Sequence, residues 1–280
     1  MSDIETLSEA FNQVSRQVSS GKKLTQLKDS PSGSAELVSI TTLESEIDQY
    51  RFNADASSLY LQVADSAFNE VTNLVTSIYA KGSQASAELV SEDARAALAN
   101  EVRSLRNQIV TLANSEVRNR FLFAGSLVTS APFSQNGDTI TYNGDDTVSS
   151  ISVDNGTEVQ MNFSGRDVFE PIFNSINSLL TAMDSNDVAG IKTALEQFSS
   201  VLSGLGEVRA KVGTNMNLLQ NIQSNLNLRE TSLTEQRSKI EDADMAQAVV
   251  QLNQTKTALQ TAMSAGGSIL TQRNLFDILG

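Results

Sequence analysis

The stretch of sequence that decides the fold class is residues 43–78, LESEIDQYRFNADASSLYLQVADSAFNEVTNLVTSI. Apolar residues recur in it at alternating steps of four and three, the spacing of a helix that buries one seam against another helix. Ser57 is the only polar member of this seam. The members are Leu43, Ile47, Tyr50, Ala54, Ser57, Leu61, Ala64, Phe68, Val71, Val75 and Ile78. The pattern predicts one long helix that has a partner.

A second seam with the same spacing lies between residues 205 and 240. Its members are Leu205, Val208, Val212, Asn215, Leu219, Ile222, Leu226, Arg229, Leu233, Gln236 and Ile240. We interpret polar seam residues such as Asn215 as positions that fix register at some cost in stability. This helix is the expected partner of the first, in a parallel or an antiparallel arrangement.

Shorter helices are predicted between and beside the two seams. Ser91 precedes Glu92 and Asp93, which is typical of an N-cap followed by acidic first-turn residues. Pro171 marks the expected start of a further helix, and another begins after Asn186-Asp187.

Gly204-Leu205-Gly206 resembles part of a dinucleotide-binding fingerprint, but Arg209 replaces its third glycine and no strand precedes it. We therefore interpret it as a junction between helices.

Residues 121–163 break the helical pattern. Asn-Gly pairs at positions 136, 143 and 155 separate short alternating runs, and this is a strong hairpin signal. We expect about four strands here. The predicted fold class is mainly α: a long-helix coiled-coil rod or bundle with a small antiparallel β insertion.

The composition of the 280 residues excludes several function classes. The chain has no cysteine, histidine or tryptophan, so thiol chemistry and Cys/His metal sites are absent. A net charge of −13 disfavours nucleic acid and anionic membranes as partners. The acidic start does not resemble a secretory signal, and no apolar stretch is long enough to span a bilayer.

Three acidic residues of the β insertion leave one enzymatic alternative open. Asp138, Asp145 and Asp154 offer carboxylates to a divalent cation, as in a metal-dependent hydrolase. Their spacing matches no calcium loop, and acidic residues are common in turns. We therefore expect a protein that is not an enzyme and that needs no cofactor.

Both ends of the chain carry seams that lack an obvious long-range partner unless the ends meet. The isolated segments are too short or too poor in large apolar residues to be stable helices alone. We therefore expect them to form the assembly interface. Its predicted residues are Ile4, Leu7, Phe11, Val14, Val18, Leu252, Leu259, Ile269, Leu275 and Phe276.

Three terminal motifs point to a family. Ser20-Gly-Lys-Lys-Leu24, Ile240-Glu-Asp-Ala-Asp-Met-Ala246 and Asn274-Leu-Phe-Asp-Ile-Leu279 resemble the two ends of flagellins and their relatives. Further residues in the middle of the chain resemble the junction-type branch of this family rather than its filament subunits. They are Phe121, Phe123, Gly125, Pro132, Phe133, Tyr142, Gly144 and Asp145.

The resemblance implies a three-part organisation. Residues 1–33 and 241–280 would form an inner coiled-coil assembly region. Residues 34–125 and 168–240 would form a helical rod, and residues 126–167 an outward-facing β domain. Family members usually have further residues before the point at which this chain starts, so we expect a trimmed or divergent N terminus.

The resemblance also implies a function outside the cell. The chain would be an adaptor at the hook-filament junction of a bacterial flagellum, exported by the flagellar type III route with a chaperone. Its partners would be copies of itself, another hook-associated protein and flagellin. The alternative is a short flagellin that forms the filament itself.

Overall fold

The chain is mostly helical, as predicted. The computed structural model describes residues 2–26 and 30–276, and the side chains of residues 4–26 and 30–268. The helices of this part are α1 (Ser2–Ser20), α2 (Pro31–Ala85), α3 (Glu92–Ala113), α4 (Gly165–Asp184), α5 (Val188–Glu241) and α6 (Met245–Phe276). The strands are β1 (Glu116–Val117), β2 (Arg120–Phe121), β3 (Phe133–Asn136), β4 (Thr139–Tyr142), β5 (Ser150–Asp154) and β6 (Thr157–Gln160). The predicted fold class is confirmed.

Contacts divide the chain into two compact units. The first, which we call the terminal unit, comprises Met1–Ile47 and Asn227–Gly280. The second, the central unit, comprises Asp48–Leu226. The three-part organisation predicted above stays a prediction.

In the central unit, α2 and α5 lie side by side and antiparallel. Gln223 Nε2 donates to Asp55 Oδ1 at 2.7 Å, and Arg209 Nε donates to Asp65 Oδ1 at 3.1 Å. Residue numbers thus rise along α2 as they fall along α5. Buried seam residues of α5 are Leu205, Val212, Leu219, Ile222 and Leu226. The predicted pairing of the two seams is confirmed here, and its direction is now known.

The seam of α2 is almost fully buried in the central unit. Its members from Ala54 to Ile78 are at most 2% exposed. Ser57 is fully buried and donates to the carbonyl of Asn53 at 2.8 Å, so its hydroxyl needs no partner from another helix. In the terminal unit the same pattern is less buried: Leu43 is 44% exposed, and Arg229 and Gln236 are also exposed.

The α2–α3 connection carries a buried charge that sequence analysis did not single out. Arg95 is 3% exposed and donates to the carbonyls of Ala85 and Val90 at 2.9 and 3.2 Å. Its guanidinium therefore satisfies carbonyls at the end of α2 and in the following loop. Ser91 Oγ accepts from Ala94 N at 3.3 Å, so the predicted N-cap is confirmed.

Two helix predictions were wrong. Gly204 and Gly206 lie inside the continuous helix α5 and mark no junction; each glycine costs a helix about 1 kcal/mol, which a helix of 54 residues tolerates. Pro171 is not a helix start, because α4 begins at Gly165 with Ser164 as its N-cap. The proline near the N terminus of α4 removes one helical hydrogen bond without ending the helix.

The β region contains three separate two-stranded antiparallel hairpins, so it has more strands than expected. Gly137 (φ +61°) is the first residue of the β3–β4 turn, and Gly156 (φ +74°) is the second residue of the β5–β6 turn. Asn143-Gly144 is not a hairpin turn; it follows β4. The β1–β2 hairpin was missed because its turn residues, Arg118 and Asn119, adopt positive φ without a glycine.

None of the described helices combines the length and the hydropathy that crossing a bilayer requires.

Candidate functional site

Two terminal motifs that are far apart in sequence meet in the terminal unit. Lys22 and Asp242 form an antiparallel β-bridge. Lys23 N donates to the carbonyl of Glu241 at 2.7 Å, and Ala243 N donates to that of Gly21 at 2.9 Å. The turn after α1 is thereby fastened to the connection between α5 and α6. We call these residues, 20–24 and 240–244, the terminal clasp.

Side chains reinforce the terminal clasp. Lys22 Nζ lies 2.5 Å from Glu241 Oε1, and Lys23 Nζ donates to the carbonyl of Lys239 at 2.5 Å. Gly21 has φ +73°, a conformation that favours glycine. Asp244 Oδ1 accepts from Gln247 N at 3.1 Å, so Asp244 caps the start of α6. Backbone geometry therefore explains the glycine at position 21, and helix capping explains the aspartate at position 244.

Beyond the clasp, α1 and α6 pack against each other in antiparallel fashion. Gly21 lies beside Ala243 at one end, and a Cβ on Gly266 would lie 3.7 Å from Ile4 Cδ1 near the other. Val14 and Ala248 are buried, at 4% and 5% exposure. The two terminal seams thus meet within one chain.

The predicted assembly residues lie mostly in this intrachain seam. Ile4, Leu7, Phe11 and Val18 of α1 are half-buried, as are Leu252 and Leu259 of α6. The side chains of Ile269, Leu275 and Phe276 lie outside the described residues. The described seam residues therefore hold α1 and α6 together, and their role in contacts between chains stays a prediction.

Sequence analysis missed the exposed apolar side chains of α6. Met245, Val249, Val250 and Met263 are 43%, 42%, 57% and 60% exposed. Lys256 is the only charged residue between positions 245 and 268. Depletion of charge with exposed methionine and aliphatic groups is typical of the core of a protein interface. The sequence carries this signal as a long run with a single charged residue, but seam spacing alone does not show which apolar side chains stay exposed.

The family-motif residues of the middle of the chain meet in the central unit around an aromatic cluster. Phe123 and Phe169 have ring centroids 4.9 Å apart, and Phe133 and Phe169 5.6 Å apart. Phe68 of α2 lies 5.3 Å from Phe123. The other rings of the cluster belong to Tyr142, Phe163 and Phe173. The cluster joins the β hairpins to α2 and α4.

Polar contacts fix the chain around this cluster. Tyr142 Oη contacts the carbonyls of Asp145 and Phe123 at 2.7 and 3.1 Å. Burial raises the pKa of Tyr142 above its ordinary value, so the phenol stays protonated and can donate. The carbonyl of Pro132 accepts from Asn143 N at 2.7 Å. Phe121 of β2 donates its N–H to the carbonyl of Val128 at 2.9 Å.

Asp145 serves the same loop. Ser126 donates to its carboxylate through both N–H and Oγ–H, and Thr147 N donates to Oδ1 at 3.0 Å. These hydrogen bonds, led by the Ser126 hydroxyl, hold the pKa of Asp145 well below its usual range. Gly125 has φ +69°, and a side chain there would collide with Asp145. Gly144 likewise leaves room for the ring of Tyr142.

The three carboxylates of the alternative cation site are not brought together. Asp138 accepts from the buried Arg106 at 2.8 Å, and this contact lowers its pKa; Asp145 accepts from Ser126; Asp154 accepts from Asn155 N at 2.8 Å. Over the part of the chain that the structure describes, no group of acidic residues suits a metal ion. The three carboxylates that this alternative uses are therefore each engaged in a separate contact.

Comparison with known proteins agrees with the terminal motifs. Residues 1–127 match the model of the bacterial flagellin N-terminal helical region, and residues 188–279 match that of the C-terminal helical region. The chain belongs to the flagellin family. Each match includes one of the two segments that form the terminal clasp.

Individual relatives include the junction-type branch of the flagellin family. Flagellar hook-associated protein 3 of Escherichia coli (strain K12) is 26% identical over 275 residues, covering 89% of this chain and 87% of that protein. A flagellin of Halalkalibacterium halodurans is 23% identical over 257 residues, covering 92% of this chain and 85% of that protein.

The fold resembles that of the flagellar junction protein FlgL from Legionella pneumophila. The TM-score is 0.62 at 16% identity, and the match covers 74% of this chain and 99% of that one. The predicted resemblance to junction-type members of the flagellin family is confirmed.

Proposed function

We propose that this chain is the adaptor at the hook-filament junction of a bacterial flagellum. Its terminal helix pair would stack with neighbouring subunits, and its central unit would mediate the change from hook packing to filament packing. The observation that carries the proposal is the terminal unit itself: two of the three end motifs are joined in the clasp, and the attached α6 leaves apolar side chains exposed along a segment with one charged residue.

The relatives favour the junction role over that of a filament subunit. The hook-associated protein 3 of E. coli aligns over most of both chains, and the junction protein of L. pneumophila shares the fold. The residues of the junction-type motif also form one connected structure around the aromatic cluster. A short flagellin remains the alternative, because flagellins share the end motifs.

The partners follow from the proposed position. Copies of this chain would surround it, with another hook-associated protein on the hook side and flagellin on the filament side. Export through the flagellar type III route, with a chaperone bound to the C-terminal helix, would bring it outside the cell. Homologues are structural flagellar proteins, and we propose that this chain has no catalytic role.

Deletion of the gene in the source bacterium tests the proposal. Loss of the adaptor should leave finished hooks without filaments and should release flagellin into the medium, because subunits still leave the cell but cannot be retained. Electron microscopy of stained cells and detection of flagellin in the medium measure the two effects. Restoration by the intact gene on a plasmid is the control.

The same experiment separates the two candidate functions. If the chain is a short flagellin, deletion should remove the filament protein itself, and no flagellin band would appear in the medium. Normal filaments on deletion cells would contradict both functions.

A further inference from the structure

One cation of α1 has no counter-charge in the described part of the chain. Arg16 forms no ion pair or side-chain hydrogen bond with the residues that the structure describes. Its Nε is buried and has no hydrogen-bond partner there. A guanidinium nitrogen that has lost water without gaining an acceptor is unfavourable. Arg16 as a whole is only half-buried, so the rest of its guanidinium can reach an acceptor from another molecule.

Acidic residues stand on the same face of α1. Steps of four, three and four connect Glu5, Glu9, Asn12 and Arg16, so these residues form one stripe along the helix. The seam toward α6 contains Ile4, Leu7, Phe11, Val14 and Val18, which lie on the opposite side. Glu5, Glu9 and Asn12 are exposed. The stripe is negative toward the start of α1 and positive toward its end.

These charges cannot neutralise each other within one chain. Glu9 and Arg16 are seven residues apart, about 10.5 Å along the helix axis, which exceeds the reach of side chains three or four positions apart. Glu5 is still farther from Arg16. Neither glutamate makes an ion pair among the described residues.

We propose that Arg16 of one copy pairs with Glu9 of a neighbouring copy, with Glu5 adding to the attraction. This inference rests on the proposed self-assembly of the terminal unit and names the residues that specify the contact. Suppose that two α1 helices lie side by side and parallel. A shift of about 10.5 Å along the helix axis then brings Glu9 of one beside Arg16 of the other. Such a contact uses two different patches, and its repeated axial shift builds an open helical array.

The complementary charges favour a second copy as the occupant. The chain as a whole carries −13, so close approach of two copies is opposed by net repulsion. The stripe has opposite charges at its two ends, so two copies attract each other locally when the acidic end of one α1 lies beside the basic end of the other. The pair therefore selects the shift between subunits as well as the partner.

A charge exchange tests the proposal in cells that lack the chromosomal gene. Arg16→Glu and Glu9→Arg, each alone, should lower the fraction of cells with filaments about tenfold, because each places like charges opposite one another. The combined variant should restore that fraction to the wild-type range. Lys211→Glu, at an exposed lysine of the central unit, makes the same charge change as Arg16→Glu and should have no effect.

Three outcomes would overturn the inference. They are normal filaments with either single variant, failure of the folded combined variant to restore filaments, and an equal loss with Lys211→Glu. Circular dichroism of each purified chain tests whether the helices form. If deletion of the gene releases flagellin but Arg16→Glu does not, only this inference fails. If deletion itself releases none, the proposed function fails.

Disulfide trapping tests the contact even if the combined variant does not fold. The chain has no cysteine, so chains with Glu9→Cys and chains with Arg16→Cys can be produced together and oxidised in isolated flagella. A band of two linked chains is expected. Glu9→Cys with Lys211→Cys should give none. Absence of the first band, or an equal band in the control, would contradict the proposed contact.

Discussion

The α1–α6 pair and the central unit use the same seam spacing but differ in how completely they bury it. In the central unit, Leu61, Phe68 and Val71 are fully buried, because α4, α5 and the aromatic cluster contribute to the same core. In the terminal unit, Leu7 and Phe11 of α1 are only half-buried. Met263 of α6 is 60% exposed. The heptad pattern therefore identifies a helix pair, and the number of elements around that pair decides whether its core is complete.

Truncation of a ring in the aromatic cluster should have the largest effect. Phe169→Ala removes a side chain that is 0% exposed and contacts four other rings. We expect the free energy of unfolding of the central unit to fall by about 3 to 5 kcal/mol. Urea denaturation followed by circular dichroism measures it. Phe52→Ala, at a ring that is 63% exposed, is the control and should cost little.

A charge in the terminal seam should act on one unit alone. Leu259→Asp places a carboxylate against α1 and should weaken the α1–α6 pairing by roughly 2 kcal/mol, while the central unit stays folded. Faster proteolysis within α6, with unchanged resistance of residues 48–226, is the expected result. Gln260→Asp puts the same charge on an exposed neighbour. Unfolding of both units by Leu259→Asp would show that they are not independent.

A methyl group at Gly125 should disturb the central unit less than loss of a ring does. Gly125 has positive φ, and a Cβ would collide with Asp145. We expect Gly125→Ala to cost about 1 to 3 kcal/mol. Gly137 also has positive φ, but a Cβ there would have no neighbour within 4 Å. Gly137→Ala therefore measures the cost of backbone strain alone, and the difference between the two variants measures the collision with Asp145. Equal costs in a denaturation experiment would mean that the contact with Asp145 contributes nothing.

Asp145→Asn should give the smallest effect and a characteristic pH dependence. The pKa of Asp145 is lower in the folded chain than its usual 3.8, so its stabilising contribution is present above pH 3.8 and is lost as the pH falls below that value. The variant should melt at a lower temperature than the wild type at pH 7, and the difference should shrink at pH 3. A difference that grows toward low pH would contradict this role.

Helix positions could be predicted from the sequence because seam spacing and caps are local signals. The seam from Ala54 to Ile78 and the N-cap at Ser91 are examples. The ends of helices were less predictable. Helix α5 continues through Gly204 and Gly206 because tertiary packing holds it, and α4 starts six residues before Pro171. The Arg118-Asn119 turn has no glycine to reveal its positive φ.

The terminal clasp and the terminal seam could be predicted only in part, because the contacts that form them are not local in the sequence. The end motifs marked the terminal clasp, but the contact between Lys22 and Asp242 spans most of the chain and leaves no local trace. Seam residues such as Leu259 are predicted to form contacts between chains; the described ones lie along the α1–α6 seam of one chain, and their role between chains stays a prediction. A periodic apolar pattern shows that a side chain is covered and does not show by which molecule.

Hydrogen exchange of α6 in the free chain and in isolated flagella tests most directly whether the terminal unit is completed by neighbouring subunits. Amides of residues 245–268 should exchange much more slowly in the assembled state, whereas those of the aromatic cluster, already buried in the free chain, should change little. Equal exchange of α6 in the two states would contradict the account, because its exposed apolar side chains would then remain uncovered in the flagellum.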